Sequence, residues 1–222
     1  MLYEDEAVVV LDKPAGLLAV PVRGSDSPSA LSLLVAKLKL KKQRALVVHR
    51  IDRFASGALL FAKTGPDRDA LVRQFLAHTP VRRYLAVLRG RLGVEAGTLV
   101  HYFRRKGMFQ QLRTARDPQA ARAELRYSVE RLFPDASLVR VELVTGLQNQ
   151  IRAQFSAMGH PVIGDRKTLP LAKSWGSRSR GRPASVWSNT SRFPSAITAS
   201  PSSLGLIGRT IAAFHSFLRP VC

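Results

Sequence analysis

The sequence predicts an α+β fold in which short strands outnumber helices. The first observation is a set of short apolar runs bounded by charge or glycine, as at residues 45–48 and 58–62, which is typical of buried strands. The second is a hairpin signature, with strand-like residues 123–132 and 137–144 on either side of a Phe-Pro-Asp-Ala turn. The third is a group of segments whose apolar residues recur at helical spacing.

The first part of the chain predicts a strand, a turn and a helix. Residues 7–11 form a β-branched run, and the Asp-Lys-Pro-Ala-Gly sequence at 12–16 has the chemistry of a turn. Serines within residues 25–29 can cap the helix predicted at residues 30–40. Lysines at and beyond the end of this helix, within residues 37–42, either complement the helix dipole or contact phosphate, and both interpretations stay open.

The middle of the chain continues this alternation. A helix is predicted at residues 65–78 and a strand at 84–88. The Arg-Arg-Lys-Gly sequence at 104–107 has little periodicity around it, which predicts a mobile basic loop. Residues 148–158 have helical spacing again, and Arg152 lies in the first turns of that helix. A cation there opposes the helix dipole, so we expect Arg152 to have a specific anionic partner.

The charge balance indicates a polyanionic partner. The 222 residues include 35 Lys and Arg against 15 Asp and Glu, a net charge of +20, and the pI is near 11.4. A surface this basic favours binding to nucleic acid. A membrane surface is the other polyanion, but the sequence contains neither a long apolar run nor a basic amphipathic helix.

Cofactors, metals and secretion find no support in the sequence. It contains no glycine-rich phosphate loop, no HExxH motif and no Cys/His ligand cluster, so we expect no cofactor and no metal. The single cysteine, Cys222, excludes an internal disulfide. Acidic residues at positions 4–6 stand where a leader would be basic, so we expect a cytoplasmic protein.

The composition changes abruptly after Asp165. Residues 166–222 contain nine Lys and Arg but no Asp or Glu, and they are rich in serine, proline and arginine up to Ser203. Such a segment without periodicity is typical of disorder. We therefore predict a folded domain at residues 1–165, followed by a basic tail at 166–222 that is disordered or divergent.

Asp52 is the candidate reactive residue. It lies between the strands predicted at 45–48 and 58–62, so it would be presented on a loop at the edge of a sheet. Arg50 and Arg53 flank it and favour its ionised form. By charge pattern alone, a turn aspartate balanced by its neighbours remains the simpler interpretation.

Four stretches of the sequence carry a family resemblance. They are YEDEAVVVLDKPAGLLAVP (residues 3–21), HRIDRFASGALLFAKT (49–64), RRYLAVLRG (82–90) and VTGLQNQIRAQFSAMGHPVIGD (144–165). Together and in this order they resemble the RluA-type family of RNA pseudouridine synthases, in which the second stretch is the catalytic loop. The resemblance covers residues 3–165.

The resemblance implies a mixed, mostly antiparallel sheet with flanking helices and a central catalytic cleft. It also implies isomerisation of specific uridines in structured ribosomal or transfer RNA to pseudouridine, without a cofactor, by a chain acting as a monomer. Asp52 would be the catalytic group, either as a nucleophile or as a base. Tyr84 would stack on the uracil base, Arg152 would pair with Asp52, and Arg50 would fill the gap left in the RNA.

The sequence departs from the family pattern at two places. Leu147 and Asn149 stand where the family has arginine and histidine. No (R/K)-x-x-LHA-type segment follows Asp165, so the tail is either a divergent extension or the product of a changed reading frame or splice path. Two alternatives to an active enzyme follow: a non-catalytic basic RNA-binding protein, and an inactive family member with an altered C-terminus.

Overall fold

The computed structural model describes residues 1–39, 44–107 and 109–165, together with the backbone of residues 197–199. Within these ranges the chain forms ten strands and three helices. In chain order they are β1 (Tyr3–Glu4), β2 (Val8–Lys13), α1 (Ala30–Lys39), β3 (Leu46–Val47), β4 (Ala55–Ala62), α2 (Gly65–Leu76), β5 (Arg82–Arg89), β6 (Ala96–Lys106), β7 (Phe109–Arg113), β8 (Ala121–Leu132), β9 (Ala136–Leu143), α3 (Gln150–Ala157) and β10 (Ile197–Ala199).

The described strands form one mixed sheet. Its order is β1-β2-β4-β10-β5-β9-β8-β6-β7, and β3 pairs with β4 off this path. Every pairing except that of β10 with β4 is antiparallel. The predicted α+β class, with a mostly antiparallel sheet, is confirmed.

Helices cover both faces of the β2–β4 pair. Alternation along a strand sends neighbouring side chains to opposite faces, so Val9 and Phe61 pack toward α1, whereas Val8 and Leu60 pack toward α2. This is why the second half of β4 is apolar without interruption and is buried. The strand that follows the Asp52 turn is therefore anchored in the core on both sides.

The other half of the sheet packs against α3. Leu88 of β5, Leu125 of β8 and Val141 of β9 are buried with Phe155 of the helix, and the ring of Phe155 meets Tyr127 edge to face at 5.6 Å. These contacts fix the helix that carries Arg152 against strands β5, β8 and β9.

Local sequence accounts for the starts of the first two helices. Ser29 caps α1: its hydroxyl accepts from the N–H of Ser32 at 3.0 Å, and the hydroxyl of Ser32 accepts from the N–H of Ser29 in return. At α2 the Thr64 hydroxyl accepts from the N–H of Asp67, and Pro66 occupies a first-turn position.

The structure corrects one prediction and adds a strand to the predicted tail. The segment at 104–106 is not a loop, because β6 continues to Lys106 and its backbone pairs with β7. Within the predicted tail, β10 lies between β4 and β5, which the sequence analysis did not anticipate. The remainder of 166–222 lies outside the described residues, as do both lysines just beyond α1, Lys41 and Lys42. In the part of the chain that the structure describes, no helix is long and apolar enough to span a membrane.

Candidate active site

Asp52 lies on a short turn that leads into β4. The carbonyl of Asp52 accepts from the N–H of Ala55 at 3.1 Å, which closes the turn. The carbonyl of the next residue, Arg53, accepts from the N–H of Gly16 at 2.8 Å, and Arg53 Nε donates to the carbonyl of Gly16 at 2.8 Å. The Asp52 side chain is 33% exposed. The carboxylate is therefore accessible on a backbone that is fixed from two segments.

Lys13, the last residue of β2, holds this turn from inside the protein. It is buried, and its Nζ donates to the carbonyls of Pro14, Leu17 and Arg53 at 2.8–3.0 Å. Burial lowers the pKa of Lys13 to about 8, whereas the charge of Asp52 acts in the opposite direction. One ammonium group thus ties the Pro-Ala-Gly turn to the Asp52 turn and places a positive charge near the carboxylate.

Arg152 of α3 reaches Asp52 from the other half of the sheet. Its Nη1 donates to Asp52 Oδ2 at 3.3 Å and to Asn149 Oδ1 at 2.9 Å. Its Nε and Nη2 donate to the two oxygens of Asp165 at 2.8 and 2.6 Å. Burial alone lowers the pKa of Arg152, but its hydrogen bonds and charge pairing with Asp165, with a further contribution from Asp52, raise the pKa overall.

Asp165 is a site residue that the sequence analysis did not single out, and Asn149 was named there only as a departure from the family pattern. The shorter, two-pronged ion pair of Arg152 is with Asp165, which is only 5% exposed. Asn149 has a left-handed backbone (φ 57°), which asparagine tolerates, and its Oδ1 accepts from Arg152 Nη1. The position of a cation in the first turns of a helix did predict an anionic partner for Arg152. The fold shows that Asp165 is such a partner, because the chain turns back toward α3 after the helix ends.

Tyr84 lies on β5, beside the same group of charges. It is partly buried. Burial raises the pKa of its phenol, the positive charge of Arg82 opposes this shift, and the charge of Asp52 adds to it. Its hydroxyl therefore stays protonated at neutral pH, and its side chain packs against the core cluster that contains Phe155.

His49 supports the site and does not titrate near neutral pH. Its Nε2 accepts from the N–H of Leu60 in β4 at 3.1 Å, and its ring stacks on Phe75 of α2 at 4.6 Å. Burial, and secondarily the charge of Arg82, lowers the pKa of His49 to about 4. Arg50, one residue further on, is exposed.

The structure thus brings Asp52, Arg152 and Tyr84 together and leaves Arg50 on the surface beside them. The expected contact between Arg152 and Asp52 is present, although the catalytic and binding roles stay predictions. Among the described residues, no cluster of three or more His, Cys, Asp or Glu side chains has metal-binding geometry.

Comparisons with known proteins agree with this architecture. The human RNA pseudouridylate synthase domain containing 4 has a similar fold, with a TM-score of 0.65 and 21% identity over 89% of this chain and 81% of that one. The human RNA pseudouridylate synthase domain containing 1 gives a TM-score of 0.60 and 23% identity over 73% of this chain and 66% of that one. At these identities the likeness concerns the fold.

Sequence comparisons identify the family. The ribosomal large subunit pseudouridine synthase D of Pseudomonas aeruginosa is 34% identical over 74% of this chain and 52% of that protein. The dual-specificity RNA pseudouridine synthase RluA of Haemophilus ducreyi is 31% identical over 80% of this chain and 81% of that protein. The chain spans about half the length of the synthases D that it matches. The sequence model described as RNA pseudouridylate synthase matches residues 7–157. The chain therefore belongs to the RNA pseudouridylate synthase family and is of its RluA type.

Proposed function

We propose that this chain is an RNA pseudouridine synthase that isomerises uridines in ribosomal or transfer RNA, with Asp52 as its catalytic group. The observation that carries the proposal is an accessible carboxylate on a fixed turn, in contact with an arginine that a second carboxylate holds in place. A structural turn aspartate has no need of such an arrangement. Membership of the family supplies the reaction that the carboxylate would perform.

The reaction breaks the bond between ribose C1′ and uracil N1 and forms a bond between C1′ and C5. The C5 proton is lost and N1 gains a proton, so no electrons are transferred. An ionised Asp52 would either attack the nucleoside covalently or remove a proton in forming a glycal-type intermediate. Both routes require the same free carboxylate oxygen.

The neighbouring residues would position the reactants. Arg152 contacts one carboxylate oxygen, Oδ2, and would orient Asp52 so that Oδ1 faces the nucleoside. Tyr84 would stack on the uracil ring, because its phenol is neutral and its ring lies near Asp52. Arg50 is exposed and would occupy the space in the RNA from which the uridine is extruded.

Residues 1–165 would form the catalytic domain, with β10 as the contribution of the tail to the sheet. This division, the monomeric state and the cytoplasmic location stay predictions. The net charge of +20 would hold ribosomal or transfer RNA through its phosphates.

The test is pseudouridine mapping on unmodified ribosomal and transfer RNA transcripts incubated with the purified chain. New pseudouridines at discrete positions would support the proposal, and the class of transcript would identify the substrate. RNA that is bound but never modified would contradict it and favour the inactive-member alternative.

A further inference from the structure

An exposed phenylalanine lies two residues after Asp52. Phe54 exposes 61% of its surface. Isolated exposed apolar residues are common on proteins, so exposure alone indicates nothing. What distinguishes Phe54 is its position on the turn of the candidate active site and the way in which that turn is fixed.

The backbone is held on both sides of the Phe54 ring. The Asp52 carbonyl accepts from the N–H of Ala55, and the Arg53 carbonyl accepts from the N–H of Gly16. The side chain of Arg53 also donates to the carbonyl of Gly16 at 2.8 Å. The ring therefore projects from a rigid base, which reduces the conformational entropy that it would lose on contact with a ligand.

The guanidinium of Arg53 lies over the same ring. Its Cζ is 5.7 Å from the ring centroid of Phe54, within the range of a cation–π contact. The cation restricts the ring further and places a positive charge beside an apolar surface. An aromatic face next to an arginine is the combination that binds an unpaired nucleotide, through the base and the phosphate respectively.

We propose that Phe54 is a stacking platform for an unpaired nucleobase next to the uridine that enters the site. It follows that the chain takes uridines in loops or single-stranded segments, because a base inside a continuous duplex already has both faces stacked. This inference rests on the proposed function for the identity of the entering uridine, but the binding of RNA at Phe54 can be tested without catalysis.

The chain contains a matched control for this residue. Phe133, in the turn between β8 and β9, is 37% exposed, and Arg131 lies over its ring at 5.5 Å. This turn lies far from the candidate active site. It ends where β9 begins, at Ala136, whereas Tyr84 pairs with Val141 further along the same strand. Five residues of a strand, or about 17 Å, therefore separate the turn from Tyr84. If any exposed aromatic ring stacked on bases, substitution of either phenylalanine would weaken RNA binding. If the stacking is specific to the site, only substitution of Phe54 would weaken it.

The experiment measures the binding of a fluorescently labelled short oligouridylate by anisotropy at fixed salt. We expect F54L to raise Kd about tenfold, because stacking of one base on an aromatic ring is lost. F54W, which retains an aromatic face, should bind like the wild type, and so should F133L. The slope of log Kd against log salt should be unchanged in F54L, because no charge is removed.

The same titration is repeated with a uridine–adenine duplex of equal length. F54L should bind this duplex as tightly as the wild type does. The inference is overturned if F54L binds oligouridylate as tightly as the wild type, if F133L weakens it equally, or if folded F54W loses affinity. Equal weakening on the duplex overturns the preference for unpaired RNA. Pseudouridine formation by the wild type is assayed separately, so a bound but unmodified RNA rejects the proposed function and leaves the stacking platform standing.

Discussion

The turn that carries Asp52 and the hairpin formed by β6 and β7 are both rich in arginine, but they are held very differently. Hydrogen bonds from Lys13, Gly16 and Arg152 converge on the turn. The cations at residues 104–106 of the hairpin are exposed, and within the described ranges no carboxylate pairs with them. This difference fits the two proposed roles: the turn would position one reactive group, and the hairpin would offer charge to a polyanion.

The two regions are connected through α3. Gln110 of β7 donates its Nε2 to the carbonyl of Gln148, immediately before α3, at 2.9 Å, and Phe103 of β6 packs against Ala153 of that helix. The basic hairpin therefore borders the helix that delivers Arg152 to Asp52. RNA attracted by the hairpin would thus be held beside α3, the helix whose Arg152 contacts Asp52.

The largest expected effect comes from Asp52→Asn. The amide keeps the shape of the side chain, but it can act neither as a nucleophile nor as a base, so pseudouridine formation should be abolished. RNA affinity should be retained or slightly increased, because an anion is removed from a basic surface. Nucleoside analysis of the treated RNA and a parallel binding titration check both expectations.

A smaller loss of rate is expected for Arg152→Lys. Lysine keeps the positive charge, but it cannot bind both oxygens of Asp165 and still reach Asp52. The carboxylate would then be displaced, and the single-turnover rate constant should fall on the order of 100-fold.

Arg140→Lys is the matched control for this substitution. Arg140 pairs with Glu130 on the surface, so the rate constant should be close to that of the wild type. Equal rate constants for the two variants would show that the geometry of Arg152 is unimportant.

Alanine at Arg104, Arg105 and Lys106 should change binding and leave the chemical step intact. Removing three exposed cations should weaken RNA binding about tenfold and reduce the salt slope of log Kd by about 2 to 3. The rate constant at saturating RNA should remain that of the wild type. Salt titrations followed by anisotropy give both quantities.

A second triple variant controls for total charge. Alanine at Arg89, Arg91 and Arg131 also removes three cations, at the opposite end of the β5–β9 ladder from Tyr84. Its affinity should fall less than that of the hairpin variant. Equal losses would mean that net charge, rather than the hairpin, determines affinity.

The smallest effect concerns acid stability. The pKa of His49 is about 4 in the folded chain and about 6.5 in the unfolded one. Between these values the unfolded state binds a proton that the folded state does not, so the free energy of unfolding falls as pH drops, by about 2 kcal/mol between pH 8 and pH 5. Urea unfolding at both pH values should show this loss in the wild type. His49→Gln, whose side chain does not titrate, should show a smaller loss, and an identical pH dependence would refute the assignment.

Local patterns were sufficient to predict most of the elements. The apolar run in β4, the serines before α1 and the turn between β8 and β9 each act over a few residues, and the structure contains all three features. The Asp52 turn and its partner Arg152 could be singled out because each lies within a short motif.

Long-range pairing explains what the sequence did not reveal. Residues 104–106 become a strand only because β7 supplies hydrogen-bond partners, and β10 depends on β4 and β5, which are distant in the chain. Asp165 could not be assigned to Arg152 from spacing alone, because the contact requires the chain to reverse after α3.

The central claim is that the Asp52 turn performs the chemistry while the hairpin provides attraction. The most direct measurement is the single-turnover rate constant at saturating RNA, with Kd determined on the same preparations, for Asp52→Asn and the triple alanine variant of residues 104–106. We expect a crossed result: Asp52→Asn binds like the wild type but forms no pseudouridine, and the hairpin variant binds weakly but reacts at the wild-type rate. Wild-type turnover by Asp52→Asn would contradict the account.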